Sequence, residues 1–446
     1  MSARAHRPPR VVSITAGGAG MFCGSCMRDN AVAAAVRSTS EAEVVLLPTF
    51  TPIRTDEEDV SAERVALGGV SIYLHQKLPW LSRLPRAARR LLDSPALLRA
   101  VSRLALQTRG SGDGAIAVEL LKGLRGRQRT VTEDLVDSLA ETYRPELVNV
   151  SNLLIAGFVP ALRRRLDVPV VATLQGDDIF LATLTPGERE EALDEMRRIA
   201  RQIDAFAVFS RDFRDRMAEL FDIPLERFEI LPLGVSSPED FVDPAVRAPR
   251  PEGRPPTLGY LARLCPEKGF HHLVDAFLRL RQRPATGAVR LRFGGWLGAV
   301  DRDFFELQMA KIESAGALSA VTRVELPDRS SKIRFFEEID VFSVPTVYRE
   351  PKGLYVLESL ASGVPVVQPA HGAFPEMLAS AGGGVMVPPG EPDALAEALA
   401  ALLLDPSESR RLGEEGRRGV LARHGSETMA RATVELWLRA LGRNGP

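Results

Sequence analysis

The chain is poor in cysteine, lysine, histidine and net charge, and each scarcity narrows what it can do. Its 446 residues hold three cysteines, too few for a disulfide framework, and Cys265 lies far in sequence from Cys23 and Cys26. A reducing cytoplasm is therefore the expected compartment. The formal net charge is −1, so no global field recruits nucleic acid or an anionic membrane. No apolar run approaches the ~18–20 residues that a membrane span needs. Only six of the 57 basic residues are lysines, an imbalance that reads as GC-rich, bacterial coding rather than functional choice. The six histidines (His6, His75, His271, His272, His371 and His424) are scattered. No second CxxC or CxxH accompanies Cys23-Gly-Ser-Cys26, so no metal site is expected.

Hydrophobic residues at 45% and charged residues at 26% are ordinary for a globular protein and exclude a disordered or fibrous chain. The length is about three times the commonest domain size, so two or more domains are expected. Arg4, Arg7 and Arg10 precede the short run VVSITA, which reads as a first buried strand rather than the apolar core of a signal peptide.

Short β-branched runs alternate with helical stretches, the pattern of parallel-sheet α/β domains. The first series predicts strands at Val11–Ala16, Glu43–Pro48, Leu147–Val150, Val168–Leu174, Ala205–Phe209 and Phe228–Leu231. Its helices include Cys26–Arg37, Leu154–Arg165 and Glu188–Arg201. The second predicts strands at Thr257–Leu261, Val289–Phe293, Arg323–Glu325, Val341–Val344, Val364–Gln368 and Gly384–Val387. A proline-rich stretch, Pro238–Pro256, separates them as a linker. The expected architecture is two Rossmann-like parallel-sheet domains: residues 1–240 with a helical insertion at about 77–130, then residues 250–425. A terminal helix within 426–446 is expected to return to the first domain. In open parallel sheets ligands sit at the carboxyl ends of the strands, which suggests an interdomain cleft.

From Lys77 to Arg109 the chain has eight basic side chains against one acidic. One reading is a peripheral membrane contact at the inner face; the other is an inserted helical subdomain with a solvated arginine face. Pro79, Pro85 and Pro95 cut the stretch into short pieces and favour the second.

After the first strand comes Gly17-Gly18-Ala19-Gly20-Met21-Phe22-Cys23-Gly24. A glycine-rich turn into a helix lets backbone N–H groups approach an anion. The dinucleotide spacing fails, since Cys23 stands where the third glycine belongs and the second strand closes without an acidic residue. No GxxxxGK[ST] and no HExxH occur. Cys23 and Cys26 sit where a helix N-terminus could lower a thiol pKa; a redox gate and two small residues packing a tight loop are the two readings.

In the second half Arg263-Leu264-Cys265-Pro266-Glu267-Lys268-Gly269 follows one strand, and Glu350-Pro351-Lys352-Gly353-Leu354-Tyr355-Val356-Leu357-Glu358 follows another, trailed by Ser362-Gly-Val-Pro-Val-Val. Two cations and a helix N-terminus can hold a diphosphate, while two carboxylates accept bonds from sugar hydroxyls.

RLCPEKG, the E-x7-E pair Glu350/Glu358 and SGVPVV closely resemble the donor-binding signature of family 4 glycosyltransferases, retaining enzymes of the GT-B fold. FAVFSRDFRDRMAELFDIPLERFEILPLGV, HGAFPEM and VMVPPGEPDALAEALAALLLD resemble further family segments in the same order. The resemblance implies a metal-independent transfer from a nucleoside-diphosphate sugar to a sugar, lipid-linked or small-molecule acceptor, with no cofactor and no nucleic-acid partner. It places Arg263 and Lys268 on the diphosphate, Glu358 on the ribose and Glu350 on the transferred sugar. The Leu354 and Tyr355 amides would take the distal phosphate, with Gly17 and Gly18 lining the first domain's side.

Two departures stand out: Gln175 where many members have a histidine beside the sugar, and Glu350-Pro-Lys-Gly where Glu-Gly-Phe-Gly is usual, which adds Lys352 near the diphosphate. By position only, Asn30, Asn152 and Asp177 are acceptor-side candidates. A nucleotide-sugar epimerase and a catalytically silent nucleotide-sugar-binding protein remain as alternatives.

Overall fold

The computed structural model describes residues 7–17, 23–63, 65–66, 113–241 and 253–443. Gly18, the whole basic stretch 77–109 and the linker residues 242–252 lie outside them. The chain divides into two compact units, Met1–Leu231 with Met429–Pro446, and Pro232–Thr428.

The first unit is built on six parallel strands: β1 (Arg10–Thr15), β2 (Glu43–Pro48), β3 (Leu147–Val150), β4 (Val170–Thr173), β5 (Ala205–Val208) and β6 (Phe228–Ile230). Their order is β2-β1-β3-β4-β5-β6. The strands read as continuous apolar runs because helices cover both faces; every residue of β3 and β4 is buried. One polar line crosses this sheet. Asn149 Nδ2 donates to Ser13 Oγ at 3.0 Å, and Thr173 Oγ1 donates to Asn149 Oδ1 at 3.2 Å. These bonds make β1, β3 and β4 specific neighbours, since a slip of one residue would orphan all three groups.

The helix Gly24–Thr39 follows β1. The expected helix Leu154–Arg165 is instead a 3₁₀ turn, Leu153–Phe158, running into the α-helix Val159–Arg165. Its start is tight because Asn152 Oδ1 caps the Ile155 N–H at 3.1 Å. Gly157 also packs so closely on Leu120 that a Cβ would lie 2.0 Å from its carbonyl oxygen. At the end of the expected insertion the described residues form the helix Asp113–Leu121, and the helix Arg129–Ser138 follows. They belong to the core: Leu121 and Leu135 are buried with the β-sheet residues.

The second unit has six parallel strands as well: β7 (Thr257–Leu261), β8 (Arg290–Gly294), β9 (Val321–Val324), β10 (Val341–Phe342), β11 (Val366–Pro369) and β12 (Gly384–Val387). Their order is β12-β11-β10-β7-β8-β9. β10 lies beside β7 with Val341 opposite Leu258 and Phe342 opposite Gly259. Gly259 is needed there, since a Cβ would meet Ile339 Cδ1 at 2.2 Å.

The division falls at Leu231 rather than near residue 240. Residues 232–241 spend their backbone on the second unit. The Val235 N–H donates to His424 O at 2.8 Å, and the Ser426 N–H returns a bond to Val235 O at 2.9 Å. Buried Arg417 donates to Phe241 O at 2.8 Å. From Met429 on, the final helix Ser426–Ala440 belongs to the first unit. Trp437 is buried there, and Arg443 bonds Glu146 at 2.6 Å. No helix among the described residues is long and apolar enough to cross a membrane.

Trp437 is among the largest fully buried side chains. Removing such a ring costs about 3–5 kcal/mol. Trp437→Ala should therefore lower the first unit's calorimetric transition by roughly 10 °C; a shift under about 2 °C would show that the terminal helix adds no packing.

Candidate functional site

The second unit's site begins where β7 ends. The loop after it is pinned by its backbone: the Ala262 N–H donates to Gly294 O at 3.3 Å and the Leu264 N–H to Trp296 O at 2.9 Å. Tyr260, fully buried, donates its hydroxyl to Arg263 O at 2.8 Å. Arg263 therefore stands on a held backbone. A single 3₁₀ turn, Pro266–Lys268, then leads through Gly269 into the helix Phe270–Arg281. Gly269 has φ 70° and lies so close to the next loop that a Cβ would sit 1.7 Å from Pro345 O. Only glycine satisfies both conditions.

The second loop follows β10, the strand beside β7. It is laced to the first by the Val347 N–H, which donates to Glu267 O at 2.9 Å. Glu350 is buried, and one of its oxygens, Oε2, accepts three bonds: from Lys268 Nζ at 2.6 Å, Tyr348 OH at 2.9 Å and Tyr355 OH at 2.8 Å. The Lys268 ammonium also lies 5.0 Å from the Tyr348 ring centre and 5.1 Å from that of Tyr355, within cation–π reach. Burial alone would raise the Glu350 carboxyl. The charge of Lys268, with the bonds from Lys268, Tyr355 and Tyr348, holds it down to about 2. Burial and the Glu350 charge push both tyrosines well above their usual value.

Three residues beyond Glu350, Gly353 takes φ 76° and starts the helix Leu354–Ala361, which no side chain caps. The first N–H groups of a helix have no partner within it, so Leu354 and Tyr355 present theirs outward. One turn on, Glu358 is buried and Lys332 Nζ contacts its Oε1 at 2.6 Å. Lys352 is buried between the two glutamates in sequence.

The structure thus gathers Lys268, Glu350, Gly353, Leu354 and Tyr355 at the carboxyl edge of neighbouring strands, with Arg263 on the same loop as Lys268. Lys268 and Glu350, expected to take separate parts of a ligand, hold each other. Two residues were missed. Tyr348 had a signal: two positions before Glu350, it falls on the same side of an extended segment. Lys332 had only its rarity, one of six lysines at an otherwise aromatic-rich helix.

In the first unit the candidates are engaged in the fold itself. Gly17, φ 83°, lies against the Thr51 backbone. Asn30 spends both ends of its amide on the neighbouring loop, donating to Glu58 O at 2.8 Å and accepting from the Val60 N–H at 3.0 Å. Asn152 is the helix cap already described. Asp177 accepts from the Leu153 N–H at 2.6 Å and the Gln175 N–H at 3.2 Å; burial nevertheless pushes its carboxyl up to about 7. Gln175 Nε2 donates to Asp29 Oδ1 at 3.1 Å and Ser151 O at 3.3 Å. Asp29 in turn binds Arg28 at 3.0 Å, a buried ion pair the sequence had not flagged. Cys23 and Cys26 are free thiols. The bond to Cys23 and burial push the Cys26 thiol well above its usual value, the opposite of the lowering that a helix N-terminus suggested.

Two six-stranded parallel sheets of this order define a two-domain Rossmann-like GT-B fold. The fold matches sucrose-phosphate synthase from Thermosynechococcus elongatus with a TM-score of 0.69, at 19% identity over 97% of this chain and 99% of that one. The model of the Glycosyl transferase 4-like domain matches residues 27–234, and that of Glycosyl transferases group 1 matches residues 243–419. The chain belongs to the family 4 glycosyltransferases. Among relatives, glycogen synthase of Mycobacterium tuberculosis (strain ATCC 25618 / H37Rv) is 27% identical over 67% of this chain and 70% of its own length. The GDP-mannose-dependent alpha-(1-6)-phosphatidylinositol monomannoside mannosyltransferase of Mycolicibacterium smegmatis is 31% identical over 59% of this chain and 68% of its own.

The Glu350 carboxyl, depressed from its ordinary 4.5 to about 2, adds stability that is present above pH ~4.5 and lost as pH falls through ~2. Glu350→Gln should therefore destabilise the second unit at pH 7, where it strands Lys268. In urea titrations the gap from wild type should narrow from pH 5 toward pH 3. An unchanged gap would mean the pair contributes nothing ionic.

Proposed function

We propose that this glycosyltransferase takes its sugar from a nucleoside-diphosphate sugar and passes it, with retention and without a metal ion, to a hydroxyl acceptor. The observation that carries the reading is the Lys268–Glu350 junction at the mouth of the uncapped helix Leu354–Ala361. A departing diphosphate needs fixed positive charge, and a lysine beside two free helix N–H groups supplies it without reorganisation. Arg263 extends the cationic side with a planar fork that suits phosphate oxygens. Lys352 adds a further cation.

In the reaction the bond between the sugar's anomeric carbon and the phosphate oxygen breaks, and its electron pair leaves with the nucleoside diphosphate. The acceptor hydroxyl adds to the anomeric carbon from the face just vacated and hands its proton to the departing phosphate oxygen. Glu350 stays ionised throughout, so it accepts bonds from the sugar's hydroxyls and stabilises the positive charge that builds on the ring. Glu358 accepts the ribose hydroxyls. The mannosyltransferase relative is named for GDP-mannose and a phosphatidylinositol mannoside; a guanine base and a lipid-borne acceptor are accordingly the first to try, and the latter suits a basic stretch at 77–109.

Thermal shifts against UDP, GDP, ADP, TDP and CDP, with and without EDTA, test the donor class. One diphosphate at ~100 times its dissociation constant adds about 2.7 kcal/mol, and EDTA should leave the shift in place. Charge-assisted contacts are worth about 1.5–3 kcal/mol each, so Arg263→Ala should weaken that diphosphate roughly ten- to hundredfold. Unaltered affinity in the folded variant would refute the assignment. Retention is read from the anomeric configuration of the product by NMR; an inverted product would refute that part alone.

A further inference from the structure

The pair Lys332–Glu358 lies beside the proposed donor site, and stability does not account for it. Lys332 sits on the helix Arg329–Glu337, and the side chains of Lys332 and Glu358 are 10% and 9% exposed. Burying two charges costs several kcal/mol per ion, and their attraction often only offsets that cost. The surroundings would readily take an apolar side chain: Phe335 and Phe336 follow on the same helix, buried, and the Phe336 ring lies 5.6 Å from that of Phe342.

The helix that carries Lys332 is itself held at its start. Asp328 and Ser331 close a capping box, and Arg329 donates to Ser236 O at 2.7 Å and Ser237 O at 2.9 Å. Lys332 therefore approaches Glu358 from a fixed support. Its bond to the Glu358 carboxylate is made at Oε1. An ammonium is a compact point charge, whereas a guanidinium fork would span both oxygens. In a chain with 57 basic residues and only six lysines, a lysine here keeps one carboxylate oxygen available.

We propose that Lys332 is a positioning residue for donor recognition. It holds Glu358 oriented so that the remaining oxygen accepts a bond from the ribose 2′-hydroxyl, and so sets the preference for ribonucleoside over 2′-deoxyribonucleoside diphosphates. The inference rests on the proposed role of Glu358. Without Lys332, Glu358 loses the contact at Oε1 that orients its carboxylate, and the charge-assisted bond to the hydroxyl loses its geometry.

The test uses calorimetric titration of the full chain with UDP, GDP and ADP, each paired with its 2′-deoxy analogue, and with pyrophosphate as the ribose-free control. Wild type should prefer the ribose form of its diphosphate by about tenfold or more. In Lys332→Met, an unbranched side chain one atom shorter and without the charge, and in Lys332→Gln as a second variant, the preference should fall below about threefold, with pyrophosphate affinity unchanged. If either folded variant keeps the wild-type preference, or loses pyrophosphate binding in proportion, Lys332 does not set ribose recognition and the inference is overturned while the donor reading stands. If wild type itself shows no preference in any pair, the assignment of Glu358 to the ribose fails, and this inference with it.

Discussion

The bond between Lys268 and Glu350 depends on a single register. The two residues are 82 positions apart, and they meet because β7 and β10 lie side by side, with Phe342 opposite Gly259. That register delivers both loops to the same sheet edge. Gly269 then lets the loops touch, the Val347–Glu267 backbone bond locks them, and Gly372, φ 60°, closes on the Glu350 backbone from a third strand's loop. The result is a carboxylate with three donors on one oxygen, too constrained to wander and ionised across the physiological range. Donors held this rigidly cost nothing to reorient when charge develops beside them.

The rarity of lysine takes on a different meaning in this setting. Three of the chain's six lysines, at 268, 332 and 352, fall in or beside this site, while arginine serves nearly everywhere else. Arginine forks brace loops, as Arg417 does on Phe241 and Arg329 on Ser236 and Ser237. Lys268 and Lys332 instead each bring one charge to one carboxylate oxygen.

In the first unit, polar residues at the carboxyl ends of β3 and β4 hold the scaffold together. Asp177 ties the turn after β3 to the turn after β4, Gln175 reaches back to Asp29 on the first helix, and Asn30 fastens the segment 58–60. A polar side chain in a strand-to-helix loop reads the same in sequence whether it faces a ligand or caps a neighbouring backbone. Its hydrogen-bond partner is what separates the two, and the partner is set by tertiary packing.

By itself the sequence determined both series of six parallel strands, because strands buried on two faces must be apolar and β-branched along their length; all twelve appear within a residue or two of expectation. It also determined the glycine positions around Arg263, Lys268 and Glu350, where only one residue type tolerates the backbone. Tertiary structure alone decided that Lys268 and Lys332 each face a different glutamate, that Tyr348 joins Tyr355 on one carboxylate oxygen, that residues 232–241 go with the second unit, and that Arg28 and Asp29 are buried as a pair. Ion pairs and shared acceptors join elements tens of residues apart. No local periodicity encodes which of several cations a buried carboxylate will meet; the order and register of the strands do.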